Sequence, residues 1–220
     1  MFERRLDIQS LRASPLDHLD WFCGWGGRAW ERLVRHAVVE CLGTDLSGKR
    51  VLELGPRQGR MSCLLGLLGA EVLGVDLRNY WLEEATEMAR SFGVDGRVRF
   101  IQFDGELECL PERDFDIVFT KSVLVVTANL EATISGLSDL LKPGGRGAFI
   151  ENARGGLLLR TLRRIRHFGG WDYSGAHYFA DEEIRLVERY FRLTTRQSVS
   201  FPPIVLLAGE NRQARHAPTR

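Results

Sequence analysis

The sequence predicts an α/β fold on a mostly parallel sheet, and three observations point to it. The chain has 220 residues, of which 44% are hydrophobic, the size and apolar content of one ordinary globular domain with a proper core. Between Lys49 and Glu151, short apolar runs alternate with segments of helical length, the pattern of βα units. Within that stretch, VLELGPRQGR at 51–60 passes from a buried strand through a glycine turn into an apolar helix.

Residues 1–27 read as irregular, because Trp21-Phe22-Cys23-Gly24-Trp25-Gly26-Gly27 mixes aromatics with glycines and suits a loop or lid. From Arg28 the pattern turns helical. Trp30, Leu33, Val34, Ala37, Val38 and Cys41 recur at three- and four-residue steps, one apolar stripe ending near Gly43. Strands are predicted over 50–54, 71–75, 98–103, 115–120 and 146–151, with helices over roughly 59–69, 81–92 and 129–141. Asp181-Glu182-Glu183 suits a helix N-terminus, and Ile184, Val187, Tyr190 and Phe191 continue a helical pattern behind it. Two β-prone runs, 192–200 and 203–208, close the fold, and the polar, basic last ten residues are expected to fray. The whole reads as one domain, with a lid and helix over 1–45, a core over 46–210 and a tail over 211–220.

Thirty basic against twenty-nine acidic residues give a formal net charge of +1, so no global field calls for nucleic acid or an anionic membrane. Cys23, Cys41, Cys63 and Cys109 are widely spaced, without a CxxC pair or a metal-ligand pattern alongside the histidines. Free thiols in a reducing compartment and no metal are expected. The start, MFERRLDIQS, is charged and lacks the apolar run of a signal peptide, and no stretch approaches a membrane span, so a cytoplasmic protein is expected.

In open α/β sheets, ligands sit at the carboxyl ends of the strands, where a glycine lets backbone approach them closely. Gly55 and Gly59 hold such positions. A dinucleotide fingerprint needs glycines at 55, 57 and 60, but the chain has Gly55, Arg57 and Arg60, which disfavours a pyrophosphate cradle. Asp76 comes seventeen residues after Gly59 and ends the strand EVLGVD, where a carboxylate can accept both hydroxyls of a ribose. FIQFDGE then puts Asp104 and Gly105 after the third strand, and FDIVFTKSVLVV puts Lys121 at the end of the fourth. LLKPGGRGAFIEN supplies a helix end, the turn Lys142-Pro143-Gly144-Gly145 and the fifth strand.

In this order and spacing the segments resemble the class I methyltransferases, over about residues 49–192. The loop is similar to their GxGxG with Arg57 in place of the middle glycine. The resemblance implies a Rossmann-like, mostly parallel seven-stranded sheet with an antiparallel C-terminal strand. It implies S-adenosylmethionine as cofactor and S-adenosylhomocysteine as product. By the same resemblance Glu53 helps hold the methionine part, with Gly55, Arg57 and Gly59 as the loop. Asp76 and Leu77 fall at the ribose, Asp104 and Gly105 at the adenine, and Lys121 completes the cofactor set. The loop GPRQG, the run KSVLVV and the segment IENARGGLLLRTLRRIRHFGGWDY resemble methyltransferases encoded with surface-polysaccharide and related glycan or secondary-metabolite pathways. That subgroup implies a small-molecule acceptor, O-methylated at a hydroxyl of a sugar or natural product.

Deprotonating a hydroxyl calls for a general base, usually His, Asp or Glu. His177 is the first candidate, with His167 and Glu151 behind it, and packing near a helix start is an equally good reading of His177. Glu151-Asn152 also suggests oxygen ligands for a divalent metal, but the rest of such a set is not recognisable. Arg160, Arg163, Arg164 and Arg166 suit a nucleotide- or lipid-linked sugar, or a peripheral membrane contact, and equally a solvated basic face. The segment from Glu151 to Tyr178, with the aromatics from Trp21 to Trp30, is expected to wall off the acceptor pocket. No NPPY-like base-flipping motif follows the fourth strand, so no nucleic-acid partner is expected. Two alternatives remain open: an enzyme of this fold using the cofactor for chemistry other than methylation, and a non-catalytic relative. No pattern bears on oligomeric state.

Overall fold

The computed structural model describes residues 7–24, 26–155 and 176–212. Its strands are β1 (Arg50–Leu54), β2 (Glu71–Asp76), β3 (Val98–Gln102), β4 (Phe115–Lys121), β5 (Leu141–Asn152), β6 (Phe191–Ser200) and β7 (Pro203–Asn211). They form one seven-stranded sheet in the order β3-β2-β1-β4-β5-β7-β6. The pairs β1–β2, β2–β3 and β4–β5 are parallel, whereas β7 runs antiparallel to both β5 and β6. Only Phe201 and Pro202 separate β6 from β7, a connection that allows a hairpin and no crossover.

The chain packs as two compact units, Met1–Gly105 and Glu106–Arg220. In the first, β1 and β2 are almost continuously buried, as strands covered on both faces are. Their crossover helices are α4 (Arg60–Leu67) and α5 (Tyr80–Phe92). Met61 to Gly66 of α4 are all buried, so this helix carries no solvent stripe. In α5, Leu82, Ala85, Ala89 and Phe92 form the buried face, and Gly93 ends the helix at φ 64°.

The expectation that residues 1–27 are irregular is corrected: α1 (Ile8–Ala13) and α2 (Leu19–Cys23) precede α3 (Gly27–Arg35). Asp7 caps α1 by accepting from the Gln9 amide at 3.2 Å. Leu11, Leu19 and Phe22 are fully buried, and the rings of Trp21, Phe22 and Phe92 meet at centroid distances of 5.1–5.7 Å. Tertiary burial of these aromatics outweighs the glycine punctuation between them. Beyond α3 the helix widens into a π-helical stretch, His36–Leu42, before Gly43 turns the chain at φ 99°.

In the second unit, α6 (Leu130–Asp139) is capped by Asn129, whose side chain accepts from the Ala132 amide at 3.0 Å. The last helix is α7 (Asp181–Tyr190); its Glu183 carboxylate reaches back to the Ala180 amide at 2.9 Å. β5 starts at Leu141 rather than 146, because Lys142-Pro143-Gly144-Gly145 is absorbed as a register shift between the pairs Phe115–Leu141 and Ile117–Arg146. After the buried Phe191, β6 alternates exposed and half-buried residues, as an edge strand with one face partly covered does, while β7 is buried from Pro203 to Gly209. The expected fraying of the tail falls outside the described residues from 213 onward.

Candidate cofactor and acceptor residues

β1 delivers Glu53 to the carboxyl end of the sheet, where it is 97% buried and its carboxylate accepts a hydrogen bond from the Ser62 hydroxyl of α4. Burial, and then the Glu53 charge beside it, push the Cys63 thiol up to about 12, so that sulfur stays protonated and unreactive. The loop after β1 turns on Gly55, at φ 69°, whose amide donates to the Val75 carbonyl at 2.8 Å. Gly59 has φ 76°, and a Cβ there would lie 2.7 Å from Cζ of Phe100 and 3.0 Å from Cβ of Ala85. Arg57 adopts φ 49°, a left-handed backbone that costs a side-chain-bearing residue about 1 kcal/mol or more. Its guanidinium sits 5.2 Å from the ring centroid of Trp81 on α5, a cation–π contact that recovers part of that cost.

At the end of β2, one Asp76 carboxylate oxygen accepts from the Arg78 amide at 3.0 Å. Leu77 is 56% exposed, and the Gln102 side chain donates to its carbonyl at 3.0 Å. Gly105, at φ 105°, would place a Cβ 3.5 Å from a Leu77 methyl, so the loops after β2 and β3 meet there and offer a bare apolar ledge. Asp104 stands beside Gly105 on the same loop.

One residue of this half escapes sequence reasoning. Arg60 opens α4, stacks 4.6 Å over the Trp21 ring and donates through Nη1 to the Trp21 carbonyl at 3.0 Å. Its Nε is buried and has no hydrogen-bond partner among the described residues. A buried unpaired donor costs about 1–3 kcal/mol, which an incoming acceptor would relieve. S-adenosylmethionine carries such an acceptor in its methionine carboxylate, alongside an ammonium suited to Glu53 and ribose hydroxyls suited to Asp76. The donor set therefore fits the cofactor.

In the second unit, Lys121 ends β4 and Ser122 follows at φ 58°, its hydroxyl accepting from Asn152 Nδ2 at 2.5 Å. Glu151 is fully buried, and its carboxylate accepts from the Thr120 hydroxyl at 2.8 Å and from the amides of Val123, Leu124 and Val125 at 3.2–3.3 Å. Burial pushes its carboxyl up to about 7, against the four donors that favour the ionised form. His177 is half-buried and donates its amide to the Val125 carbonyl at 2.8 Å. His167, the four arginines at 160, 163, 164 and 166, and Trp25 lie outside the described residues. Among the described residues no group of three or more His, Cys, Asp or Glu converges as a metal site would require. None of the described helices is long and apolar enough to cross a membrane.

Residues 52–149 match the family model of a methyltransferase domain. Over 145 residues the chain is 29% identical to the ubiquinone/menaquinone biosynthesis C-methyltransferase UbiE of Pasteurella multocida, covering 64% of this chain and 51% of that protein. It is 32% identical over 110 residues to the S-adenosyl-L-methionine-dependent Diels-Alderase iccD of Talaromyces variabilis, covering 49% of this chain and 38% of that protein. The magnesium protoporphyrin IX methyltransferase ChlM of Synechocystis PCC 6803, solved with bound SAH, superposes with a TM-score of 0.63 at 22% identity, over 92% of this chain and 97% of that one. The chain spans about half the length of the curated relatives it matches. The sheet order and the superposition on ChlM give the chain the class I methyltransferase fold, and residues 52–149 are similar to a methyltransferase domain. Of the two curated relatives, one is named a C-methyltransferase and the other a Diels-Alderase.

Proposed function

We propose that the chain transfers the methyl group of S-adenosylmethionine to a hydroxyl oxygen of a small natural-product acceptor of phenol or enol type. The observation that carries this reading is the succession of Glu53, the Gly55–Gly59 loop, Asp76 with Leu77, and Asp104 with Gly105 at the carboxyl ends of β1, β2 and β3. The cofactor supplies an electrophilic methyl on a sulfonium, so the protein contributes positioning more than acid–base power. Glu53 would hold the ammonium, Arg60 the methionine carboxylate, Asp76 the ribose hydroxyls, Leu77 and Gly105 the adenine face, and Asp104 its amino group. His177 would take the acceptor's hydroxyl proton, a half-buried imidazole whose backbone amide is held by the Val125 carbonyl at 2.8 Å. Losing that proton also makes the neighbouring carbon of a phenol or enol nucleophilic, so relatives named as C-methyltransferases are compatible with the same machinery. Val126 and Phe201, 55% and 83% exposed, follow β4 and β6 and would offer apolar contact to such an acceptor. The nucleotide- or lipid-linked sugar depends on the arginines of 160–166, outside the described residues.

Incubation with methyl-¹³C-labelled S-adenosylmethionine and three probes, a hydroquinone, a polyphenol and a uridine-diphosphate sugar, tests this. Label on a phenolic oxygen is the expected result. Label on carbon would reassign the chain to C-methylation, and label on the sugar would restore the glycan reading. The similarity to the Diels-Alderase supports a second reading, in which the cofactor stays intact while the protein shapes a cyclisation. A chain that binds S-adenosylhomocysteine yet transfers no label would favour it.

A further inference from the structure

Glu151 is the best-buried ionisable side chain among the described residues of the second unit, and its four donors are divided unevenly between its oxygens. Oε1 accepts from the Thr120 hydroxyl at 2.8 Å, the Leu124 amide at 3.2 Å and the Val123 amide at 3.3 Å. Among the described residues Oε2 accepts only from the Val125 amide, at 3.3 Å. The three amides enter a single 3₁₀ turn, Leu124–Val126, and such leading amides have no partner within the turn. Glu151 supplies that partner from β5, across 26 to 28 positions of sequence. The turn in turn holds the chain beyond position 175, because the Val125 carbonyl accepts from the His177 amide at 2.8 Å. Asn152 makes a parallel connection: its side chain grips Ser122, and its carbonyl accepts from the Phe179 amide at 2.9 Å.

We infer that Glu151 is a positioning residue, which caps the turn after β4 and through the Val125 carbonyl sets the backbone at His177. The uneven loading of the two oxygens makes this specific. Glutamine is isosteric with glutamate but carries one acceptor oxygen and one NH₂ donor. With three donors at Oε1 and one at Oε2, the amide oxygen belongs at Oε1 and the NH₂ faces the Val125 amide, donor against donor. The substitution therefore breaks the one contact that leads on to His177. Its meaning for catalysis rests on His177 being the base proposed above; the hydrogen-bond coupling does not, so the two fail separately.

Site-resolved amide hydrogen exchange on the full chain, saturated with S-adenosylhomocysteine, tests the coupling. In Glu151→Gln, exchange at Val125 and His177 should speed up about tenfold or more, with Val123 and Leu124 changing less. Thr120→Val removes a donor from the same carboxylate but only at Oε1, and should leave Val125 and His177 within about twofold of the parent. Equal acceleration in both variants would mean general loosening and would overturn the proposal, as would a Val125 response without one at His177. Should Glu151→Gln fail to fold, the parent alone decides. Val125 and His177 must then show the same opening equilibrium, and different values refute the coupling. Affinity for S-adenosylhomocysteine, measured in the same samples, reads the cofactor half independently.

Discussion

Replacing Glu151 by glutamine should change how stability depends on pH, and the structure sets both sign and size. The carboxyl is wholly buried, and its value rises from an ordinary 4.5 to about 7 because desolvation outweighs the hydrogen bonds from Thr120, Leu124, Val123 and Val125. The folded chain therefore holds this proton between pH 4.5 and about 7, where the unfolded chain has released it. Stability is then greatest below 4.5 and falls as pH rises towards 7, the reverse of a salt-bridged carboxylate. Each pH unit of displacement is worth about 1.36 kcal/mol, so the whole difference amounts to about 3 kcal/mol. Urea unfolding of parent and variant across that window isolates it, since every other titrating group cancels in the difference. The parent should lose about 3 kcal/mol relative to Glu151→Gln on going from the acid end to the neutral end. Parallel stability curves would refute the reasoning and mean that the donors hold the carboxylate ionised at its usual pH.

Asp76→Ala should weaken S-adenosylhomocysteine binding by about 10- to 100-fold in calorimetry, the loss of charge-assisted hydrogen bonds, and unchanged affinity would remove Asp76 from the site. Arg57→Gly relieves about 1 kcal/mol of left-handed backbone cost and forfeits about 0.5–1 kcal/mol of cation–π attraction, so cofactor affinity should stay within about threefold. Binding that appears only in that variant would mark the natural chain as a degenerate relative. Gly59→Ala combines a positive φ with a Cβ pressed on Phe100 and Ala85, and thermal or urea unfolding should show a loss of about 2–4 kcal/mol. His177→Ala should lower turnover by about 10²- to 10⁴-fold while leaving cofactor affinity intact, and near-normal turnover would assign the proton to water or another group.

The repeating elements were legible because local pattern and burial agree in them. β1 falls on the predicted 50–54, around the buried run from Val51 to Leu54, and α5 follows the spacing of Leu82, Ala85, Ala89 and Phe92. The aromatic stretch at 21–27 was not, because the partner that turns Phe22 into core and packs against the half-buried Trp21 is Phe92, some seventy residues on. The site divides the same way. Glu53, Gly55, Asp76 and Asp104 stand at strand ends and can be found by spacing. The contacts that qualify their roles join distant positions with no period: Ser62 on Glu53, Trp81 under Arg57, Trp21 beside Arg60, and the 123–125 amides on Glu151. Arg57 shows the difference well. A broken glycine motif reads as damage in one dimension, and in three it reads as a cation seated on a ring.

The stacking of Arg60 on Trp21 also gives the chain a built-in optical probe. Indole emission responds to a positive charge over its face, and here the charge lies 4.6 Å away on the first residue of the helix that follows the cofactor loop. Any ligand anion that draws the guanidinium towards itself would shift Trp21 emission without a label or a coupled assay. Trp21→Phe supplies the control, since phenylalanine keeps the aromatic contacts to Phe22 and Phe92 while subtracting the Trp21 share of an emission that comes from five tryptophans. Candidate cofactors and their analogues can thus be ranked by fluorescence titration before any acceptor is known.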